Sequence, residues 1–466
     1  MQSRFISHTP SCRRLILIFA GWSTTPSFYR HIHAEGWDVA IVWDYTSLDL
    51  DASFLDQYST VFVVAWSMGV AAAAHAAATS IDPSRVAAAF AVNGTLFPSS
   101  DKYGIPEAVY EGTRATLSPK NLLKFTKRMG YIPPVNLKDY PPLDDIYLPD
   151  FDSLGVELEN MRSHALKGRL PWKRAYISIH DRIFPASAMQ RAWSEDDSHP
   201  DIILLDAEHY VDLQQIITKI TPDTDGIARR FGNAVNTYND NAIAQRKIID
   251  TLFDLLPDDK KESIHDILEI GAGSGLLSHK LLSDLPLNSA TFLDLYPINR
   301  FGVIEEEKYV TADAELWMHT APDNSFDLIA SSSTIQWFAD PATFFCEASR
   351  ALRRGGILLC STFLPGNLHE LDSKRPSPLL YRTEEEIRSM LKPYFSLYKT
   401  FSEPITIDFP TRRALLRHIQ LTGVATSASS LPESQTYKQD EKQTDPVDSS
   451  RHTLTYLPLY IMAYKK

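Results

Sequence analysis

Two kinds of hydrophobic pattern alternate along this chain. Short unbroken apolar runs end in turn residues, and longer segments repeat apolar positions at helical spacing. Arg14–Ala20 is such a run, closed by Gly21-Trp22-Ser23. Thr60–Ala65 runs into Trp66-Ser67-Met68-Gly69 and then into the alanine-rich stretch Val70–Ala78. Alanine is the best helix former, so that stretch predicts a buried helix. Ala175–Ile179 precedes His180-Asp181, and Ile202–Leu205 precedes Glu208-His209. Strands alternating with helices predict a parallel sheet. Residues 95–170 are less regular and rich in Pro, Tyr, Lys and Asp, which predicts a cap or insertion, helical in parts. Lys120, Lys124, Lys127 and Arg128 fall near one face of such a helix, either as a solvated face or as a docking patch.

A polar break with Pro222 and Gly226 then interrupts the pattern. It divides the chain into a first domain at 1–218, a linker at 219–227 and a second domain at 228–466. A helical pattern resumes at Ala228–Leu256, and a second α/β unit starts at Ile264. Residues 425–451 are rich in Ser, Thr, Gln, Asp and Lys, an exposed and mobile excursion before a last apolar strand, Thr453–Tyr464.

Composition narrows the function classes. A chain of 466 residues is long enough for two cores, and 44% hydrophobic with 22% charged residues is the balance of a soluble globular protein. The net charge of −12 disfavours nucleic acid as a partner. Cys12, Cys346 and Cys360 are too few and too scattered for a zinc site or a disulfide framework, which suits a cytoplasmic setting. The apolar run after Arg13-Arg14 is too short for a signal core or a membrane span.

The segment Ala65-Trp66-Ser67-Met68-Gly69 resembles the nucleophile elbow of α/β-hydrolases, with Ala65 where glycine is usual. The elbow predicts Ser67 on a strained strand-to-helix turn, with the backbone N–H groups of Met68 and Trp22 as oxyanion donors. A serine hydroxyl needs a histidine base and a carboxylate to orient it. Asp181 and His209 follow strands in the order this fold requires, and His180 is the rival base. Singly, Asp181 also reads as a helix cap and His209 as a packed histidine.

Asp266–Gly275 reads as a buried strand running into Gly271-Ala272-Gly273-Ser274-Gly275. A dinucleotide fold prefers a different glycine spacing, with a pyrophosphate on the helix N-terminus. Here Glu269 precedes the glycines inside the strand, which suits the ammonium of S-adenosylmethionine. The pattern resembles motif I of class I methyltransferases, a Rossmann-like α/β fold. Asp294 ends the next strand, in position for ribose hydroxyls, and Asp313-Ala314 follows the third, in position for adenine. No metal is implied.

The helical segment Arg230–Arg246 (with Tyr238 and Gln245), then Ser332–Phe338, Leu416-Arg417-His418, Thr422-Gly423-Val424-Ala425 and Leu454-Thr455-Tyr456 resemble malonyl-acyl carrier protein O-methyltransferases of biotin synthesis. Phe19–Trp22, Ala65–Gly69, Asp181–Pro185 and His209 resemble pimeloyl-acyl carrier protein methyl ester esterases of the BioG type. The resemblance implies a bifunctional enzyme: carboxylate methylation by the second domain, ester hydrolysis by the first, and an acyl carrier protein as partner. It also implies substrate roles for Tyr238 and Trp337, and for Arg417 as a carboxylate clamp, against the rival reading of Arg417 as a surface arginine. The carrier would dock on the lysine face of the first domain and on Arg412 and Arg413 of the second. The alternatives are a thioesterase or general carboxylesterase fused to a small-acid methyltransferase, and a non-catalytic docking module in the first half.

Overall fold

The computed structural model describes residues 1–130, 151–163, 169–371, 379–422 and 452–466. Parts of the expected cap, the segment Gly423-Val424-Ala425 and the excursion at 425–451 lie outside the described residues. The chain forms two compact units, Met1–Thr221 and Pro222–Lys466.

Unit 1 is built in chain order from β1 (Gln2–Ser7), β2 (Arg14–Phe19), β3 (Asp38–Trp43), β4 (Thr60–Trp66), α1 (Gly69–Thr79) and β5 (Val86–Val92). Three cap helices follow, α2 (Glu107–Ala115), α3 (Pro119–Arg128) and α4 (Phe151–Ser163), then β6 (Trp172–Ser178), α5 (Ala186–Ser194), β7 (Asp201–Leu205) and α6 (Leu213–Ile220). The sheet order is β1-β3-β2-β4-β5-β6-β7, parallel except for β1. Strands β2 and β4 are buried throughout, which explains their unbroken apolar runs.

Three of these strands escape the hydrophobic pattern. β1 is half-exposed at the sheet edge. β3 begins at a buried aspartate, Asp38. β5 reads Val-Ala-Ala-Ala-Phe-Ala-Val, where alanine hides the strand signal because a short apolar run does not distinguish strand from buried helix.

The break between the units is shorter than the expected linker. Helix α7 (Thr224–Asn241) already contains Gly226, whose N–H donates to the capping carboxylate of Asp223 at 2.7 Å. The helical pattern then divides at the buried Ala242, and α8 (Ile243–Phe253) and the short α9 (Asp258–Lys261) follow. Next come β8 (Asp266–Ile270), α10 (Leu276–Asp284), β9 (Ser289–Asp294), β10 (Glu306–Thr311), α11 (Ala314–Trp317) and β11 (Phe326–Ser331). The unit ends with α12 (Pro341–Ala351), β12 (Leu352–Phe363), α13 (Glu384–Leu391), β13 (Phe395–Ser402), β14 (Ile405–Phe409), α14 (Arg412–Leu421), β15 (His452–Tyr456) and β16 (Pro458–Lys465).

Its main sheet runs β10-β9-β8-β11-β12-β16-β13, with β16 antiparallel to both neighbours. The expected single last strand is two. Pro458 favours a break before it, and the Leu457 N–H donates to Asn367 Oδ1 at 2.9 Å instead of to a strand. β15 thereby pairs with β14 as a separate ribbon. Among the described residues no helix is long and apolar enough to cross a membrane.

Candidate functional site

In unit 1 the register lines up the carboxyl ends of the central strands. Phe19 pairs with Ala65, Trp66 with Val92, Val92 with Tyr176, and Ser178 with Leu205. The loops that leave these ends therefore share one edge, the usual place for a site in such sheets.

Ser67 sits in the turn between β4 and α1 with φ +57°, a conformation that costs a serine energy and is kept only where the surroundings enforce it. Gly69 is part of that enforcement. A Cβ there would lie 2.3 Å from the Phe19 carbonyl oxygen and 2.6 Å from that of Ala20, so only glycine lets α1 pack this closely on β2.

The structure brings Ser67, His209 and Asp181 together. His209 Nε2 lies 3.0 Å from Ser67 Oγ, and His209 Nδ1 lies 2.7 Å from Asp181 Oδ2. The other carboxylate oxygen of Asp181 accepts the N–H groups of Ile183 and Phe184 at 2.7 and 2.9 Å. Both side chains of the His209–Asp181 pair are fully buried. The imidazole is flanked by Trp66 and by Phe184, whose ring is nearly parallel to it. The rival His180 instead faces solvent and contacts Asp206 at 2.9 Å.

Met68 is the N-cap residue of α1, and Trp22 stands in the turn after β2. Among the described residues neither backbone N–H donates to another protein group, so both remain available as donors. The Trp22 indole donates to the Leu154 carbonyl at 3.2 Å and meets Phe125 edge-on, which ties α4 and α3 over the turn. A small cavity is lined by Met68 and Trp22, and a groove between α2 and α3 shares Trp22, Val109, Thr113, Phe125 and Arg128 with it. Lys124 and Arg128 line that groove, and Lys120 and Lys127 are exposed on the same helix.

Unit 2 holds an open cavity over the carboxyl ends of β8, β9 and β11. Glu269, Gly271, Gly273, Asp294, Asp313, Ala314, Tyr238 and Trp337 all line it. Gly271, Gly273 and Gly275 have φ of +72°, +56° and +89°. A Cβ on Gly271 would meet Thr334 Oγ1 at 2.0 Å, and one on Gly275 would meet Phe301 at 2.5 Å.

Glu269 is buried within β8, and its Oε2 has no hydrogen-bond partner. Burial pushes its carboxyl up to about 8 against the opposing Ser278 hydroxyl, with a smaller rise from the charge of Asp294. Asp294 accepts the Gly273 N–H at 2.8 Å, and burial raises it to about 6. Asp313 caps α11 by accepting the Glu315 N–H at 2.9 Å. Phe231 packs edge-on against both Tyr238 and Trp337.

Arg417 does not reach this cavity. It is exposed on α14, and the next residue, His418, points inward to the Tyr456 hydroxyl at 3.1 Å. The phase of an amphipathic helix thus selects His418 for the interior, which a lone arginine in a motif does not disclose. Arg412 and Arg413 are exposed at the start of the same helix. Among the cavity residues given no role by the sequence, Gln245 is buried with an unpartnered Oε1, and Glu315 accepts the N–H groups of Ala339 and Asp340 at 3.0 and 2.7 Å.

Residues 1–217 match the family described as pimeloyl-ACP methyl esterase BioG, and residues 268–360 match a methyltransferase domain family. A malonyl-[acyl-carrier protein] O-methyltransferase of Bacteroides fragilis is 29% identical over 98% of this chain and 94% of its own length. One of Porphyromonas gingivalis is 31% identical, covering 52% of this chain and 96% of its own.

The chain belongs to the malonyl-[acyl-carrier protein] O-methyltransferase family.

Within this family member the methyltransferase homology falls on unit 2, which has the class I, Rossmann-like fold of S-adenosylmethionine-dependent methyltransferases. Unit 1 is a BioG segment fused ahead of it. A crystal structure of BioG from Haemophilus influenzae is 30% identical and covers 45% of this chain and 94% of its own, with a TM-score of 0.38.

Proposed function

We propose that this is a bifunctional enzyme of biotin-precursor synthesis. Unit 2 methylates the free carboxylate of malonyl-acyl carrier protein with S-adenosylmethionine. Unit 1, read as an α/β-hydrolase, hydrolyses the methyl ester of the pimeloyl-carrier product. The observation that carries the reading is the coexistence on one chain of the Ser67–His209–Asp181 relay and the acidic cavity around Glu269.

In unit 2 the bound S-adenosylmethionine supplies an electrophilic methyl group. Glu269, whose free oxygen lacks a protein donor, holds the ammonium end. Asp294 takes the ribose hydroxyls, and Asp313 with Ala314 borders the adenine. Tyr238 and Trp337, packed through Phe231, wall the transfer site and exclude water. The malonyl carboxylate oxygen would take the methyl held there as the bond to sulfur breaks, leaving the neutral thioether S-adenosylhomocysteine, so positioning is the main task of these residues.

In unit 1 Ser67 Oγ attacks the ester carbonyl while His209 takes its proton, and Asp181 holds the imidazole in the tautomer that allows this. The N–H groups of Met68 and Trp22 receive the developing oxyanion. His209 returns the proton to the leaving methoxide, and methanol departs. Water then cleaves the acyl-serine by the same relay, giving the free carboxylate. The groove between α2 and α3 accommodates the acyl chain, and the exposed Lys120, Lys124, Lys127 and Arg128 suit an acidic carrier.

Methylation removes a charge, so the disguised malonyl group can enter apolar elongation sites. Hydrolysis after elongation restores the charge and ends growth. Mass spectrometry tests the reading. Malonyl-carrier with S-adenosylmethionine should gain one methyl with both wild type and Ser67→Ala, and only wild type should strip pimeloyl-carrier methyl ester. Absence of methyl gain on the malonyl carrier would refute the methylation half.

A further inference from the structure

Asn93 follows β5 and makes no contact expected of a catalytic group, yet it is fully buried and holds φ +46°. Asparagine tolerates this left-handed backbone better than most residues. Its side chain spans two strands' ends. Oδ1 accepts the Ser178 N–H at 2.7 Å, while Nδ2 donates to Ser178 Oγ at 2.8 Å and to the His209 carbonyl at 2.8 Å. Ser178 ends β6, and its carbonyl accepts the Asp181 N–H at 3.3 Å. One amide therefore reaches both the strand that delivers the acid and the loop that delivers the base.

The neighbours of Asn93 complete the arrangement. The Val92 carbonyl accepts the Ser67 N–H at 2.8 Å. Gly94 packs so close to the nucleophile turn that a Cβ there would lie 2.1 Å from the Ser67 carbonyl oxygen. The Trp66 indole gives the His209 carbonyl a second donor at 3.2 Å. The segment 92–94 thus touches the supports of all three members of the relay.

We infer that Asn93 is a positioning residue that holds Asp181 and His209 in register with Ser67. The inference rests on the esterase reading above. The chemistry requires an acceptor and a donor with two hydrogens on a short side chain. Aspartate has the length but would aim lone pairs at the His209 carbonyl. An apolar side chain would leave the Ser178 N–H and hydroxyl without this partner and the His209 carbonyl with the Trp66 indole as its remaining named donor.

The test uses the full chain and the variant Asn93→Gly, which keeps the left-handed backbone unstrained and removes only the amide. Turnover of a p-nitrophenyl ester and of pimeloyl-carrier methyl ester should fall about 100-fold in kcat with KM nearly unchanged, the scale of a displaced catalytic group. The downfield proton resonance of the His209–Asp181 hydrogen bond, assigned by its loss in His209→Ala, should weaken or vanish. Circular dichroism and methyl transfer should stay as in wild type. A purely space-filling amide would lower stability without moving that resonance. If Asn93→Gly does not fold, Asn93→Asp replaces it with the same expected losses. Unchanged kcat and resonance, with wild type active, would overturn the role of Asn93 alone. A wild type that neither hydrolyses esters nor reacts with a serine-directed phosphonate would overturn the esterase reading and this inference with it.

Discussion

The two sites solve opposite problems with polar groups. In unit 1 the relay's polar atoms are paired within the protein: both Asp181 oxygens are satisfied, and the imidazole lies between two aromatic rings. In unit 2 a buried carboxylate oxygen of Glu269 is left without a donor, and Asp294 beside it is pushed up by burial. A buried unpaired acceptor is costly and persists where a ligand completes it. On the proposed reading, the first site is assembled in advance for its ester, and the second keeps its acids poorly satisfied until a cationic ligand binds. Substitutions that touch one set should leave the other's chemistry intact.

The sharpest division should come from the nucleophile. Ser67→Ala should lower ester hydrolysis by about a million-fold, the scale seen when a serine nucleophile is lost, and leave methyl transfer unaltered. Asp181→Asn should cost about 10⁴-fold in kcat, because an amide that satisfies Ile183 and Phe184 no longer fixes the histidine tautomer. Steady-state rates on pimeloyl-carrier methyl ester check both. A parallel fall in methyl transfer by either variant would break the comparison.

A smaller effect distinguishes the sites by pH. The Glu269 carboxyl, raised by burial to about 8 from an ordinary value near 4.5, is protonated over most of the physiological range without ligand. Its folded form holds a proton that the unfolded chain releases, so its stabilising contribution is full below about 4.5 and is lost as pH rises through 8. A cationic ligand favours the ionised form. Binding of S-adenosylmethionine should therefore tighten from pH 6 to 8, by at most about tenfold per unit, with proton release measurable by calorimetry in buffers of different ionisation enthalpy. Glu269→Gln should weaken binding most at pH 8 and flatten this dependence. It should also raise the melting temperature of the unligated protein at that pH, because the buried charge is gone. An unchanged pH slope in the variant would show that another group takes the proton.

What the sequence discloses follows from how local the constraint is. The Ser67 turn and the Gly271–Gly275 loop are legible because backbone geometry itself demands small residues at set spacing. Asp181 and His209 are legible because strand order limits where an acid and a base can stand. β5 is not, since its alanines suit a helix as well as a strand. Asn93 is not, because its partners Ser178 and His209 lie 85 and 116 residues away. Glu315 and Gln245 acquire meaning only when the cavity gathers them.

Arg417 sharpens the point at the smallest scale. A motif and its charge suggest a carboxylate clamp, but the side chain is exposed and absent from the cavity lining, and α14 turns His418 inward. Arg417→Ala should change methyl transfer less than twofold and stability by no more than about 0.5 kcal/mol, as for an exposed side chain. His418→Ala removes a partner of the Tyr456 hydroxyl and opens a gap against Phe409, so it should lower thermal stability measurably. Malonyl-carrier methylation and differential scanning fluorimetry on the pair of variants separate the two readings. A large loss of methylation with Arg417→Ala and none with His418→Ala would return the clamp to Arg417 and require α14 to turn when the carrier binds.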